Sequence, residues 1–358
     1  MTRMRVAVLM GGHSGEHEVS IRSARSVMAA LDPDRWEAIP FGVSKRGHWL
    51  TPAATGHALD AGETAFGAAM GASLLAAGEV LRELATCDIA FPLIHGTNGE
   101  DGTLQGFLEM AGLPYAGCGV AASAIGMDKA LMKALFREAG IRQARYAVLR
   151  SWEVDRDPAA ARGYIAGTIG YPCFAKPANG GSSVGVTKVR SVEDLDGAFT
   201  AAFAYDDKVV VEEAVSGQEV ECSVLGNEDP EASIVGEIIP DREFYDYDSK
   251  YSDDSKTRLC IPAHIDEATA ATVREMALRM YRVMGCEGYA RVDFFVRPGG
   301  EVLANEVNTI PGFTTISMYP QMWEASGLAY PALLDRLIAL AQERHAAKQQ
   351  LRTSVLDQ

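Results

Sequence analysis

The chain has 358 residues, 47% of them apolar and 23% charged, with a formal net charge of −15. That length predicts two or three domains, and the balanced composition excludes a disordered chain. The acidic balance argues against a nucleic-acid partner, which calls for a basic face, so an anionic ligand would need a locally basic pocket. In chain order, Val6 to Met10 reads as a buried strand. "GGHSGEHEVS" follows, then a helix with Val19, Ala24, Val27, Met28 and Leu31, the opening of an α/β domain. Residues 55–77 are Ala/Gly-rich without clear periodicity and read as variable loop and helix. "CDIAFPLI" is a second buried strand that empties into "HGTNGEDG", and a helix over 103–111 ends at Gly112. "MDKALMKALFREAGI" is a helix capped by Asp128, with Leu131, Met132, Leu135, Phe136 and Ala139 on one face and Gly140 as its stop. Residues 145–225 are expected to be strand-rich. Residues 241–255, "DREFYDYDSKYSDDS", read as a long exposed loop of the functional kind. A helix over 266–284, a hairpin over 289–308 and a helix over 328–345 complete the chain.

Six cysteines (Cys87, Cys118, Cys173, Cys222, Cys260 and Cys286) form no C-x-x-C pair and read as free thiols of a reducing compartment. The first residues lack the features of a secretory leader, and no run is long enough to span a bilayer. A cytoplasmic protein with no membrane partner is expected.

The hairpin "GYARVDFFVRPGGEVLANEVN" is the most informative stretch. With Gly299-Gly300 as a two-residue turn, Phe295 faces Ala304, Asp293 faces Glu306 and Arg291 faces Asn308. Arg291, Asp293, Glu306 and Asn308 then share one face, while Val292, Phe294, Leu303 and Val307 fall on or near the other. Opposed carboxylates repel across a ladder unless a cation lies between them. Asp, Glu and Asn offer hard oxygen ligands suited to Mg²⁺ or Mn²⁺, and magnesium shares its shell with phosphates.

A phosphate partner suits "KPANGGSSVGV", whose small residues let backbone N–H groups approach an anion. Lys176 adds charge at the strand end, and Ser182 and Ser183 add hydroxyl donors. The loop is not a P-loop motif. Lys129, in the first turn of its helix, opposes the helix dipole, which a nearby anion would offset. In "VVVEEAVSGQEVEC", Glu212 and Glu219 sit at strand ends, where they either accept ribose and adenine donors or face water; the residues alone leave both open.

"GGHSGEHEVS", "HGTNGEDG", "MDKALMK", "KPANGGSSVGV", "FYDYDSKY", "ARVDFF" and "NEVNTIPGFTTISMYP" occur in this order over nearly the whole chain. Together they resemble the D-alanine–D-alanine ligases of the ATP-grasp superfamily. The resemblance implies an α/β, three-domain ATP-grasp architecture. An N-terminal Rossmann-like (pre-ATP-grasp) domain would cover 1–122, a central subdomain 123–213, a catalytic subdomain 214–345 and a tail 346–358.

It implies ATP with two Mg²⁺ or Mn²⁺ ions, D-alanine as the amino-acid substrate, and a homodimer. Asp293, Glu306 and Asn308 match metal ligands. Lys129 and Lys176 match phosphate-binding lysines, with Ser183 in the same loop. Glu212 matches the adenine-side carboxylate, Glu219 the ribose one, and the backbone of Ala214 and Val215 an adenine contact. Arg291 and the Gly312 N–H match groups around the acyl phosphate. Glu16 matches the carboxylate that takes the first ammonium, with His95 beside it. Ser182 matches the serine linking Glu16 to Tyr251, and Ser317 with Lys250 the grip on the second carboxylate. Lys250 and Tyr251 fall in the family's lid. Tyr251 favours D-alanine over D-lactate or D-serine as second substrate; ligases for those substrates and a catalytically silent ATP-grasp protein are the alternatives.

Overall fold

The computed structural model describes residues 3–240 and 257–352. Lys250, Tyr251 and the expected lid over 241–255 lie outside the described residues.

The first sheet holds β1 (Met4–Gly11), β2 (Trp36–Val43), β3 (Trp49–Leu50) and β4 (Ile89–Pro92) in the order β3-β2-β1-β4. β1 pairs in parallel with β2 and β4, and β3 is antiparallel to β2. Helices on both faces explain why β1 reads as an unbroken apolar run. The second sheet holds β5 (Tyr146–Arg150), β6 (Cys173–Pro177), β7 (Thr187–Val189) and β8 (Lys208–Glu213) in the order β5-β8-β6-β7. The third holds β9 (Gln218–Leu225), β10 (Glu231–Ile239), β11 (Arg258–Cys260), β12 (Tyr289–Val296) and β13 (Val302–Asn308) in the order β11-β10-β9-β12-β13, all antiparallel.

Several expectations hold with small shifts. Helices occupy Thr103–Ala111, Lys129–Glu138, Glu267–Val283 and Tyr330–Gln349. Asp128 caps the second of these by accepting from the Ala130 and Leu131 N–H groups at 3.0 and 3.1 Å. All six cysteines are free thiols. The span 145–225 differs: helices Ser151–Arg156, Pro158–Thr168 and Leu195–Phe203 alternate with its strands. The first is too short and polar to show a period, and the other two bury narrow faces with alanines among them, so the periodic signal is weak. Residues 52–68 form two short helices, Pro52–Ala61 and Glu63–Ala68.

The turn of the β12–β13 hairpin is one residue longer than expected. Arg297 N–H donates to Glu301 at 2.9 Å, and Gly299 and Gly300 have φ of 97° and 83°. Asn305 is then an extra residue in β13, because Asp293 pairs with Glu306 while Phe294 pairs with Ala304. The longer turn and the bulge compensate each other. Asp293 still faces Glu306 and Arg291 faces Asn308, but Phe295 faces Leu303 rather than Ala304. Leu303 therefore shares the face of Phe295, and Ala304 joins Val292, Phe294 and Val307 in the core.

That core lies between the third sheet and helix Glu267–Val283, and Ala122, Met132 and Phe136 join it from the chain before the second sheet. The last long helix packs Leu333, Leu337 and Ile338 into the core of the first sheet with Val6, Val8 and Phe91. Trp36 Nε1 donates to Asp335 across that contact at 2.6 Å. The cores here do not follow chain order, since residues from before the second sheet and from the last helix join the cores of the third and first sheets.

Phe294 is 1% exposed. Phe294→Ala is expected to cost about 3–5 kcal/mol in urea unfolding; a loss below about 1 kcal/mol would contradict this placement of the core.

Candidate active site

Three chain segments meet around one row of charges. The first is the turn from β1 into helix His17–Ala30. Its Glu16 carboxylate accepts the Ser182 hydroxyl from the Gly/Ser loop, so the first and second sheets meet at this bond. A Cβ on Gly181 would lie 2.5 Å from Glu16 Oε2, and one on Gly96 3.0 Å, so a side chain at either position would crowd the carboxylate. Ser182 and Ser183 both have positive φ, 48° and 59°. Non-glycine residues seldom adopt this conformation, and here it turns the loop toward Glu16.

Lys129 links the Gly/Ser loop to the third sheet. Its Nζ donates to the Gly180 carbonyl at 2.6 Å and lies 3.9 Å from Glu306 Oε2. Burial lowers its pKa, with Glu306 acting the other way.

Lys176 on β6 and Lys133, one helical turn beyond Lys129, both pair with Glu212 on β8, one at each carboxylate oxygen. Burial alone would raise the pKa of Glu212; Lys133 and Lys176 more than reverse it, to about 2. Lys133 is 1% exposed and lies 5.6 Å from the centroid of the Tyr146 ring. It was missed in the sequence, although its i, i+4 spacing from Lys129 places both on one helix face.

On β12, Arg291 donates to both oxygens of Asp293, at 2.8 and 2.7 Å, and lies 3.1 Å from Glu221. Asn308 Nδ2 donates to Asp293 at 2.9 Å. Glu221 was also missed; in "QEVEC" it alternates with Glu219, so both lie on the face that carries Asp293 and Phe295. The carboxylate repulsion that suggested a metal is thus partly offset by Arg291 and Lys129. Among the described residues, no three His, Cys, Asp or Glu side chains form a ready metal group. Asp293, Glu306 and Asn308 still supply hard oxygen donors on adjacent strands, which fits Mg²⁺ or Mn²⁺ completed by phosphate oxygens.

His95 is buried. Its Nδ1 contacts the Ile310 carbonyl at 2.8 Å and its Nε2 contacts Ser23 Oγ at 3.2 Å, so both nitrogens have protein partners. Burial lowers its pKa. Glu100, five residues on, was also missed; burial and then Glu16 hold its carboxyl well above the usual range. Ser317 Oγ contacts Thr314 Oγ1 at 2.7 Å, and a Cβ on Gly312 would meet it at 2.9 Å, so Gly312 and Ser317 sit together. The Ala214 N–H donates to the Pro172 carbonyl at 3.1 Å. Val215 follows it in the strand-to-strand turn.

Two antiparallel sheets joined across a row of lysines and carboxylates, with an α/β domain as third wall, define an ATP-grasp protein, a class of ATP-dependent ligases. The family model described as D-ala D-ala ligase N-terminus matches residues 5–118, and that described as D-ala D-ala ligase C-terminus matches residues 135–339. A D-alanine–D-alanine ligase of Geobacillus thermodenitrificans is 46% identical over 358 residues, covering 98% of each chain. The D-alanine–D-alanine ligase structure from Coxiella burnetii superposes with a TM-score of 0.81 at 36% identity, covering 98% of this chain and 97% of that one. The VanG D-Ala:D-Ser ligase of Enterococcus faecalis gives 0.82 at 36% identity, covering 95% and 100%. The chain belongs to the D-alanine–D-alanine ligase family.

The depressed pKa of Glu212 has a definite sign. Its stabilisation is complete above the ordinary carboxylate value and is lost as pH falls toward about 2. Lys133→Met removes one of the two ammonium partners. The acid limb of the stability profile is expected to move to higher pH, and the KM for ATP to rise about 10-fold. An unchanged acid limb would show that Lys176 alone holds the carboxylate.

Proposed function

We propose that the protein joins two D-alanine molecules into D-alanyl-D-alanine, converting ATP to ADP and phosphate, and so supplies a dipeptide for peptidoglycan. Membership of the family over nearly the whole chain carries this reading, and the meeting of Glu16, Ser182, Lys129 and Glu306 in one cleft supports it.

The reaction runs in two steps. The carboxylate of the first D-alanine attacks the γ-phosphorus of ATP, giving an acyl phosphate and ADP. The amine of the second attacks the acyl carbon, and phosphate leaves. Little covalent chemistry falls to the protein, so positioning and charge stabilisation dominate.

Glu16 would take the first ammonium, held in place by Ser182, with His95 packed beside it. Lys129 and Lys176 would hold phosphates, with Ser183 and the Gly/Ser backbone around them. Glu212, Glu219 and the backbone at Ala214 and Val215 would receive adenine and ribose. The Arg291 fork and the Gly312 N–H would stabilise the oxyanion of the tetrahedral intermediate. Ser317 would grip the second carboxylate. Asp293, Glu306 and Asn308 would hold Mg²⁺ or Mn²⁺, which supplies charge neutralisation on the phosphates. Lys250 and Tyr251 keep their proposed roles in the lid, where closure would exclude water from the acyl phosphate.

Tyr251 in the lid favours D-alanine as second substrate, and the likeness to a D-Ala:D-Ser ligase makes D-serine the competitor to test. The family reading also carries a homodimer and a cytoplasmic location, tested by sedimentation and cell fractionation. Among the described residues, no helix is long and apolar enough to cross a membrane.

Purified protein with ATP, Mg²⁺ and D-alanine is expected to release phosphate and form the dipeptide, identified by mass. In mixtures, the product carrying D-serine or D-lactate, identified by mass, should stay well below D-alanyl-D-alanine; the reverse order overturns the substrate assignment. Glu306→Gln keeps side-chain size and removes charge, and should lower kcat by about 10²-fold or more. Unchanged turnover in Glu306→Gln would remove Glu306 from the proposed metal site.

A further inference from the structure

We infer that residues 52–68 position the first amino-acid site, with Phe66 acting as a positioning residue for Glu16 through His17. The inference rests on the proposed function, since it concerns the site where Glu16 would take an ammonium.

Phe66 comes from a stretch that shows no pattern in the sequence, yet it is fully buried. Two glycines make its place. A Cβ on Gly42 would lie 2.6 Å from Phe66 Cζ, and one on Gly11 3.0 Å from Phe66 Cε1. The ring therefore fills the space left beside the ends of β1 and β2, directly behind the turn that carries Glu16.

The edge of that ring meets the His17 imidazole, with centroids 5.6 Å apart and planes at 63°. His17 is fully buried, and its Nδ1 contacts the Gly12 carbonyl at 2.7 Å. A carbonyl only accepts, so Nδ1 carries the proton and closes the 12–17 turn. Glu16 is the residue immediately before His17 and the N-cap of its helix. Phe66 holds the ring that holds the turn that holds Glu16.

Two further contacts brace the same segment. Glu63 accepts two bonds from Arg22, at 2.9 and 3.1 Å, farther along the helix that begins at His17. Lys45 N–H donates to the Gly67 carbonyl at 3.1 Å, while Lys45 Nζ lies 2.5 Å from Glu18. The contacts reach the helix at His17, Glu18 and Arg22, all close to Glu16. Segment 52–68 is thus a buttress behind the carboxylate.

A side chain displaced by part of an ångström loses much of its value in an oriented site. Removing the ring opens a cavity under His17 and frees the turn. A general loss of folded protein lowers kcat alone, because the surviving molecules bind normally. A loosened Glu16 raises the Michaelis constant of the amino acid it receives.

The test fits initial rates of the full-length protein to two D-alanine Michaelis constants at saturating ATP, and to the ATP constant with ATP varied at saturating D-alanine. Phe66→Ala is expected to raise the constant for the first D-alanine by about 5- to 20-fold and leave that for ATP within about twofold. Phe66→Leu, which refills most of the cavity, should recover most of the loss. Glu63→Gln is exposed enough to fold if Phe66→Ala does not, and should raise the same constant by about twofold. A folded Phe66→Ala with an unchanged first constant, or with the ATP constant raised equally, overturns the inference. If Phe66→Ala does not fold, an unchanged constant in Glu63→Gln overturns it. Wild-type protein that does not couple D-alanine at all instead overturns the functional reading on which it rests.

Discussion

Glu212 holds two ammonium groups, one buried and one half-buried, one at each carboxylate oxygen, and the rest of the cleft likewise pairs cations with carboxylates. Lys129 lies against Glu306, and Arg291 against Asp293 and Glu221. Taking such ions out of water costs several kcal/mol each, and one left unpaired destabilises by about 3–5 kcal/mol. The charges therefore constrain the fold: partners from different strands and from the Lys129–Glu138 helix must arrive at matching depth, or none can be buried. This is why the segments on either side of the cleft are so tightly defined, and why their definition is backbone work. Asp128 caps the helix that presents Lys129 and Lys133, and the bulge at Asn305 returns Glu306 to the face of Asp293.

Burial of this kind is weak evidence for stability, since hydrophobic replacements of equal volume often do as well. What the charges provide is a preset field. A nucleotide brings N–H donors and phosphates, and under the proposed assignment each would meet a partner of opposite character. The adenine edge could share Glu212, and the phosphates could share Lys176 and Lys129. Because Lys133 pairs with the other oxygen of Glu212, drawing Lys176 toward a phosphate would not strand the carboxylate. Such partner exchange needs little reorganisation, the condition under which electrostatic stabilisation is most effective.

The legible part of this site lay where chemistry coincides with a local pattern. The opposition of Asp293 to Glu306 follows from strand period and turn position, and it survived an incorrect turn length because the bulge restored the register. The pairing of Phe295 with Ala304 had no such protection and shifted by one residue. Asp128 and Gly112 are helix signals of the same local kind. Lys133, Glu221 and Glu100 were not legible, since their significance lies in what faces them across the fold. A lysine on an amphipathic helix reads as solvated until a carboxylate from β8 is found against it. Phe66 is the extreme case: its helix is six residues long, and the space it fills is made by glycines 24 and 55 positions earlier.

Those glycines show how the two kinds of information meet. Gly11 sits at the end of β1 with φ of 90°, a conformation that disfavours any side chain. A sequence reader assigns such a glycine to its turn and stops there. In the fold the missing Cβ also leaves room for Phe66, and the same absence of a side chain at Gly181 and Gly96 lets Glu16 be approached from two other sides. The carboxylate is therefore approached closely by backbone at Gly181 and Gly96, and the aromatic wedge of Phe66 braces its turn from behind His17. In the proposed role, a group that would select one small ammonium needs this rigidity more than it needs additional charge. In this chain the rigidity comes from glycines and a phenylalanine as much as from the residues that would touch the substrate.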